Sequence, residues 1–363
     1  MRMQRITAVV AKEAREILRD PVTVAVALTM PLVMLFIFAY AISLDVEDVP
    51  MGVLDADGSP ASRELVERFV ASGYFELAAS YGSARVAEDA LQRGEVKVVV
   101  FVPEGFGRRV AAGRDAPVQV VVDGTYSATA NLVAAYARTI IRNDAATDLP
   151  IQVRTRVWYN PAMRSVTYVV PGLFGVILMA CPPLLTALAI TREKQTGSIQ
   201  QIFASPLTSW EFLAGKLVPY GIIAFLEIGL VIGFGFLWFG VPLRGALGLL
   251  LGVGLVYVFC TVGIGLLVST LTDSQLVAML LALIVTMMPS FLFSGFLFPI
   301  FTMPYALQLY TRVFPVRYFV DFSRGVVLKG SGLPDLWPSV LLLLGYTIAI
   351  FALAVWRFRK KVA

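Results

Sequence analysis

Six long apolar runs limit the folds open to this sequence more than any other feature. They lie at about residues 22–44, 166–190, 217–241, 246–268, 276–296 and 337–356. Each is long enough to cross the hydrocarbon layer of a bilayer as a helix, which takes about 20 predominantly apolar residues. A helix also satisfies its own backbone hydrogen bonds in lipid, where water is absent. The sequence therefore predicts a polytopic α-helical membrane protein with six transmembrane helices.

Composition agrees with this class and excludes several others. Hydrophobic residues make up 58% of the chain and charged residues only 15%, against about 25% charged in soluble domains. The formal net charge is +5, and its basic excess lies beside the apolar runs, which indicates membrane topology and no nucleic-acid binding. The sequence contains no His, so Ser-His triads and His-based zinc motifs are excluded. Cys181 and Cys260 both lie in apolar runs and indicate no disulfide framework.

The segment before the first run, residues 1–21, has apolar residues at helical spacing and is typical of an interfacial amphipathic helix. Asp20 can cap the next helix and Pro21 can begin it. A cleaved signal peptide is the alternative, because residues 39–41 resemble a cleavage site. The apolar run exceeds the usual signal-peptide core of about 7 to 15 residues, which favours a retained first span at 22–44.

Basic residues near the predicted spans set the orientation. Lys and Arg number 12 on the side of both termini and 5 on the other side. Positively charged flanks stay in the cytoplasm. We therefore expect both termini and the polar segment at residues 191–216 in the cytoplasm. The protein would lie in the cell membrane, the inner membrane where a bacterium has two.

A single large insertion, residues 45–165, then falls outside the membrane and has the size of one domain. Strand patterns alternate in it with helix patterns. The strands are expected at 51–55, 97–103 and 117–125, and the helices at about 60–72, 83–93 and 126–143. This alternation predicts an extracytoplasmic α/β domain with a mixed sheet.

The polar segment at residues 191–216 carries two helix-start patterns. Ser198 and Gln201 have the spacing of a capping box, and so do Thr208 and Glu211. Pro206 separates them, since a proline disfavours helix in the residue before it. We predict a short helix at about 199–204 and a second helix from about Ser209 into the third span. A helix this short needs a docking partner, although the pattern alone also fits a loop lying on the membrane surface.

The run "REKQTGSIQQIFASP" resembles the cytoplasmic "RE-x-x-x-G-T-x-E-Q-L-x-x-[ST]-P" stretch of ABC-2 type permeases, the membrane subunits of bacterial ABC exporters. In that family this stretch is the coupling helix, which sits in a groove of the ATPase subunit and transmits its movement. The resemblance implies a coupling role for residues 192–206. The residues concerned are Arg192, Glu193, Gly197, Ser198, Gln201, Ser205 and Pro206. Ser198, Gln200 and Ile202 replace the family's usual Thr, Glu and Leu, so a charge usually available to the ATPase is missing here.

Two further stretches extend the resemblance over nearly the whole chain. "KEAREILRDP" at residues 12–21 is similar to the family's elbow helix, and residues 293–330 resemble its segment between spans five and six. The insertion resembles the subfamily found beside drug-efflux ATPases and periplasmic adaptor proteins. The resemblance thus implies a type V exporter fold, a homodimer or a pair of homologous permeases, a separate ATPase subunit and, in some systems, an adaptor.

Phosphate-binding chemistry is missing from the sequence, which contains no G-x-x-x-x-G-K-[ST] loop. We therefore expect ATP and Mg²⁺ on the ATPase subunit, and no cofactor, metal or catalytic residue in this chain.

Glu227 stands in the middle of the third apolar run. An ionisable residue at bilayer depth costs several kcal/mol, so it should face the protein interior. It belongs either to a substrate or proton path or to a buried polar tie between helices. Phe291 and Phe293 either line a hydrophobic substrate route or anchor the helix at the interface.

The segment at residues 297–335 is apolar but interrupted by proline and glycine. It predicts short helices that enter the outer leaflet again without crossing, and we hypothesise that they form an outer gate. Asp321 and Arg324 have the spacing of an ion pair on one helical face.

The function predicted is the permease subunit of an ATP-driven exporter that moves a hydrophobic or amphipathic small molecule or lipid by alternating access. The alternative is a membrane-anchored sensor or binding protein that acts through its extracytoplasmic domain, against which no signalling domain follows the last span. An intramembrane enzyme is disfavoured by the lack of His, of paired aspartates in the spans and of metal-ligand clusters.

Overall fold

The computed structural model describes residues 2–42, 48–124, 127–142, 159–160, 164–200 and 205–358. The chain divides into two compact units. The first, called here the helical unit, comprises Met1–Ser43 and Val157–Ala363, and the second, called here the α/β unit, comprises Leu44–Arg156.

The chain begins with two consecutive helices, α1 (Arg2–Leu18) and α2 (Pro21–Ala41). Asp20 separates them and caps α2, because its Oδ1 accepts a hydrogen bond from the Thr23 backbone N–H at 3.1 Å. Pro21 is the first residue of α2, where the N–H that it lacks would have no helical partner. Both features agree with the start predicted for the first span.

The α/β unit alternates strands and helices along the chain. Its elements are β1 (Val49–Asp55), α3 (Pro60–Ala71), β2 (Phe75–Ser80), α4 (Ala84–Arg93), β3 (Val98–Val102), α5 (Phe106–Ala111), β4 (Gln119–Val122) and α6 (Ser127–Arg142). The sheet order is β2-β1-β3-β4, with β1 parallel to both neighbours and β4 antiparallel to β3. The sequence analysis missed β2, an edge strand in which only Phe75 is buried and which therefore lacks an alternating pattern.

The helical unit continues with further helices in its described residues. They are α7 (Ser165–Gln195), α8 (Ser209–Leu237), α9 (Leu247–Leu271), α10 (Gln275–Phe293), α11 (Tyr305–Thr311), α12 (Pro315–Arg324) and α13 (Leu333–Arg357). A 3₁₀ turn at Ile300–Thr302 and a π turn at Gly325–Lys329 interrupt the segment between α10 and α13. Six helices of the described residues, namely α2, α7, α8, α9, α10 and α13, are long and apolar enough to cross a membrane, as predicted.

The bundle is built around α7. Within its most apolar 18-residue window 78% of residues are buried, against 28% in α2 and α10 and 11% in α13. Gly265 of α9 permits a close approach of α9 to α7, since a Cβ at this position would lie 2.3 Å from the Pro183 carbonyl oxygen of α7. The Tyr257 hydroxyl of α9 donates to the Gly175 carbonyl oxygen of α7 at 2.8 Å. The outward faces of α2, α10 and α13 remain apolar and exposed.

The start of α8 differs from the third apolar run but matches the capping prediction. The helix begins at Ser209, before the run near 217, because Thr208 and Glu211 form the predicted capping box. Of the predicted short helix at 199–204, Ile199 and Gln200 are helical, and residues 201–204 lie outside the described residues.

Candidate functional site

Within the polar segment, α7 ends at Gln195 and the chain then turns at Gly197. This glycine has a φ of +74°, a left-handed conformation that glycine adopts without strain. The Thr196 N–H donates to the Arg192 carbonyl oxygen at 2.9 Å and closes the last helical turn. The Ser198 hydroxyl lies 3.0 Å from the Thr196 hydroxyl and 3.4 Å from the Glu193 carbonyl oxygen. The predicted coupling residues Gly197 and Ser198 therefore shape the turn that leads into the segment.

Glu193 belongs to a buried group of charges that we call the base cluster, formed by Lys12, Glu13, Glu193 and Lys216. Lys216 Nζ lies 2.7 Å from Glu13 Oε1 and 3.2 Å from Glu193 Oε2. Lys12 Nζ lies 3.1 Å from Glu13 Oε1 and is also bonded to Glu193 Oε1. The two carboxylates are 1% and 6% exposed and Lys216 is 1% exposed. Each buried charge of the cluster thus has an opposite charge beside it.

Close packing of α1 against α8 creates this cluster. Gly215 carries no side chain toward α1, and a Cβ there would lie 2.6 Å from the Val9 side chain. The next residue of α8, Lys216, then meets Glu13, which lies one turn after Val9 on α1. A buried charge left without its partner is strongly destabilising, so the close approach and the ion pairs depend on each other.

The charges of the cluster hold Lys12 in its protonated form. Partial burial lowers the pKa of the Lys12 ammonium, but its hydrogen bond to Glu193 and the charges of Glu13 and Glu193 outweigh burial and raise the pKa above its ordinary value. The carboxylates of Glu13, Glu16 and Glu193 lie within 4.8 Å of one another, a spacing that could hold a metal ion. The ammonium groups of Lys12 and Lys216 already occupy the cation position among them, so the donor set indicates ion pairing and not metal binding.

Further contacts tie the polar segment to neighbouring helices. Arg192 lies 3.4 Å from Asp20 at the start of α2. Lys194 Nζ donates to the carbonyl oxygens of Ser269 and Thr272, at 2.9 and 2.8 Å, where α9 ends. At the far end of the segment, Arg5 of α1 donates to the Pro206 carbonyl oxygen at 2.8 Å.

These contacts connect both ends of the segment to α1 and its start to α2, α8 and α9. Ser205 lies in the described part of the segment, and Gln201 lies outside the described residues. The coupling role of these residues stays a prediction.

The structure changes the interpretation of Glu193. A residue that presents its charge to an ATPase should be exposed, but this carboxylate is directed into the base cluster. Sequence reasoning also missed Lys12 and Glu13. The sequence did contain a signal that Glu13 is buried. Glu13 lies on the apolar face of α1, four residues after Val9 and four before Ile17.

Glu227 of α8 is completely buried, and neither of its carboxylate oxygens has a hydrogen-bond partner among the described residues. The alternative of a polar tie between helices finds no partner for Glu227 among the described residues. Its proposed place in a substrate or proton path stays a prediction.

Arg324 does not form the predicted ion pair with Asp321, which is exposed. Arg324 donates instead to the carbonyl oxygens of Gly295 and Phe296, at 2.8 and 3.1 Å, and its guanidinium lies 3.7 Å from the ring centroid of Tyr168. The helix α10 ends before these residues, so their carbonyl groups lack helical partners. A guanidinium can donate to two such groups at once. Arg324 thus fastens the segment between α10 and α13 to α7.

The two phenylalanines that we considered as substrate contacts take part in aromatic packing. Phe291 lies 4.9 Å from Phe38 of α2, measured between ring centroids. Phe293 lies 5.1 Å from Tyr310 and 5.8 Å from Phe314. These contacts join α10 to α2 and to the segment that contains α11 and α12.

Comparison with known proteins gives the same class over the whole chain. The family model described as "ABC-2 family transporter protein" matches residues 22–356. The "Probable multidrug ABC transporter permease YbhR" of Escherichia coli K12 is 30% identical over 99% of both chains. The similarly named YbhS of the same strain is 31% identical over 99% of this chain and 97% of its own.

A third relative, the "Inner membrane transport permease YhhJ" of E. coli K12, is 27% identical over 86% of each chain. The six helices of the described residues that are long and apolar enough to cross a membrane agree with a family match over most of the chain. The chain belongs to the ABC-2 family of transporter proteins and is a multi-pass ABC permease subunit.

Proposed function

We propose that this permease is the membrane half of an ATP-driven exporter, in which a separate ATPase subunit binds ATP and Mg²⁺. Two permease chains, identical or homologous, would enclose the path of a hydrophobic or amphipathic substrate. Two relatives are named multidrug permeases, which supports a substrate of this kind. The missing phosphate-binding loop supports a separate ATPase.

The main support for this proposal is that contacts at both ends of residues 192–206 hold this segment against neighbouring helices. Movement of an ATPase subunit against this segment would push the end of α7. Since Glu193 is bonded to Lys12 and Lys216, and Lys194 to the end of α9, the push would reach α1, α8 and α9 together. The ATPase would thereby favour one of two bundle arrangements, which is the differential contact that alternating access requires.

Orientation is part of the proposal. The polar segment and both termini would lie in the cytoplasm, and the α/β unit would lie outside, where it could receive substrate or contact a periplasmic adaptor. Both native cysteines are buried, so an introduced thiol can be labelled selectively. A membrane-impermeant maleimide should label Ser83→Cys in intact spheroplasts and Gln195→Cys only after the membrane is opened. The reverse pattern would invert the topology.

An ATPase assay tests coupling directly. The permease, purified with the candidate ATPase and reconstituted, should stimulate ATP hydrolysis. Gln201→Ala should reduce that stimulation several-fold without lowering the melting temperature of the permease. Glu88→Ala, on the exposed face of α4, is the matched control and should change neither quantity. If no ATPase associates with the permease, the exporter proposal fails and the sensor alternative takes its place.

A further inference from the structure

A shallow groove on the exposed surface of α1 has a basic lining. It measures about 440 Å³, whereas one water molecule needs about 10–15 Å³ on the same measure. Its six lining residues have helical spacing and share one face of α1; they are Ala8, Ala11, Lys12, Arg15, Glu16 and Arg19. The two alanines leave the floor of the groove low, and the long charged side chains form its walls. The groove can therefore take a group much larger than a water molecule.

The charges in this groove are not balanced. Arg15 and Arg19 are exposed, and neither forms an ion pair with an acid among the described residues. The acids next to them in the chain are paired elsewhere, because Glu16 lies 3.3 Å from Lys12 and Asp20 lies 3.4 Å from an arginine of α7. Two like charges four residues apart on a helix repel each other. An anion bound between the two guanidinium groups would relieve this repulsion, so the groove favours a negative ligand, and phosphate suits arginine best.

A second, independent observation indicates that the ligand has an apolar part. A stripe of exposed apolar side chains begins on α2 three residues after Arg19. Its members have helical spacing and are between 44% and 70% exposed; they are Val22, Val26, Met30, Val33 and Ile37. Leu18, which is 78% exposed, lies between the two arginines and the stripe.

The length of the stripe fits a lipid tail. From Val22 to Val33 the helix rises about 16 Å, which is about half of the roughly 30 Å hydrocarbon core of a bilayer. One acyl chain of one leaflet covers this distance. The helix α2 is also long and apolar enough to cross a membrane. A basic groove that continues into an apolar stripe of one-leaflet length matches an amphiphile with an anionic headgroup.

We propose that the groove on α1 and the stripe on α2 bind an anionic phospholipid, with its phosphate between Arg15 and Arg19 and an acyl chain along Val22, Val26 and Met30. A soluble anion would use the arginines but not the stripe, and a zwitterionic lipid would bring an ammonium group towards the same cations. Lys12 lines the groove and is also bonded to Glu193, so the bound lipid would lie beside the base cluster. The inference does not depend on what the permease transports.

Native mass spectrometry tests this with the full-length permease in detergent. Dioleoylphosphatidylglycerol and dioleoylphosphatidylcholine, which have the same acyl chains, are titrated in equal amounts, and the relative affinity of the two lipids is measured. Each basic side chain near a membrane surface favours an anionic lipid by about a factor of five, so two arginines should give a preference of about 25-fold. Equal affinity for both lipids would overturn the assignment of charge.

A double variant locates the site. Arg15→Gln combined with Arg19→Gln should lose nearly all of the preference for phosphatidylglycerol and leave the affinity for phosphatidylcholine unchanged. Arg85→Gln combined with Arg109→Gln removes the same charge from two exposed positions of the α/β unit and is the matched control. The control should keep the preference. Equal losses in the two double variants would show a response to net charge and would remove the site from α1.

Two further measurements distinguish the lipid from other occupants. Glycerophosphoglycerol, the same headgroup without acyl chains, should not displace the lipid even in large excess, and full displacement would show a site for a soluble anion instead. Val26→Cys tests the stripe, since both native cysteines are buried. A disulfide-linked dimer of this variant would show that a second copy of the chain covers the stripe and would overturn the lipid assignment.

An acidic surface of the ATPase subunit is the remaining occupant to test. The Arg15→Gln, Arg19→Gln double variant is mixed with the candidate ATPase, and association is compared with that of the wild type. We expect unchanged association, because the proposed ligand is a lipid. Loss of association with the preference for phosphatidylglycerol retained would assign the two arginines to the ATPase interface and refute the lipid site.

Discussion

Glu13 and Glu193 of the base cluster and Glu227 of α8 are all buried carboxylates, but their surroundings are opposite. Lys216 lies within 3.2 Å of both members of the first group. Glu227 has no such partner among the described residues. Buried charges that have opposite charges beside them hold helices together. A buried charge without a partner lowers the stability of the fold, and such groups are common at functional sites. The base cluster therefore fastens α1, α7 and α8 together, whereas a place for Glu227 in the substrate path stays a prediction.

The largest effect is expected when Lys216 is replaced. Lys216→Met leaves Glu13 and Glu193 buried with only the partly exposed Lys12, and should lower the free energy of unfolding by about 3–5 kcal/mol. Unfolding in detergent followed by circular dichroism measures the loss, with Lys329→Met, at an exposed lysine, as control. Adding Glu13→Gln should restore part of the stability, because it removes one of the stranded charges. Wild-type stability of the Lys216→Met variant would show that the base cluster does not hold these helices together.

Arg324 provides an intermediate case, a charge compensated by dipoles and not by an opposite charge. Arg324→Lys keeps the charge but loses the planar guanidinium, whose two terminal nitrogens donate separately to the carbonyl oxygens of Gly295 and Phe296 and whose plane stacks on Tyr168. We expect a loss of about 1.5–3 kcal/mol in unfolding free energy. Arg312→Lys, at an exposed position of the same segment, should change stability little. Equal melting temperatures for the two variants would contradict this role.

Glu227 should respond in the opposite direction. Glu227→Leu removes a buried polar group without a partner, so stability should stay the same or rise by about 1–3 kcal/mol. If Glu227 lies on the substrate path, export should fall in this variant and in Glu227→Gln. Unfolding and transport are measured on the same preparations. Wild-type export in both variants would exclude Glu227 from the substrate path, and strong destabilisation in both would reveal a structural partner.

The sequence predicted well those features that depend on one stretch of chain. Apolar runs are enough to locate six spans, and the Thr208–Glu211 capping box is enough to start α8 at Ser209. The base cluster joins three separate helices, and the pattern on one helix does not say which neighbour its polar face meets. The pairing of Asp321 with Arg324 failed for a related reason. Their spacing permits contact, but carbonyl groups freed elsewhere in the chain bind the guanidinium instead.

The smallest effect is expected at Lys12, the exposed member of the base cluster. Its side chain is 42% exposed, and Lys216 still lies beside both carboxylates when Lys12 is replaced. Lys12→Gln should therefore cost less than about 1 kcal/mol, as solvent-exposed ion pairs do. A loss as large as that of Lys216→Met would mean that Lys12 of α1 stabilises the base cluster as much as Lys216 of α8 does.

The pH dependence of the Lys12→Gln variant sharpens the same point. The pKa of Lys12 is raised in the folded protein above the ordinary 10.5, because the neighbouring Glu193 and Glu13 outweigh the effect of burial. A raised pKa contributes stability that is fully present below 10.5 and is lost as pH rises through the folded-state pKa. The difference in unfolding free energy between wild type and Lys12→Gln should thus stay constant from about pH 6 to 9. It should shrink only in more alkaline solution, and a difference that changes near neutral pH would mean that another group of the cluster titrates there.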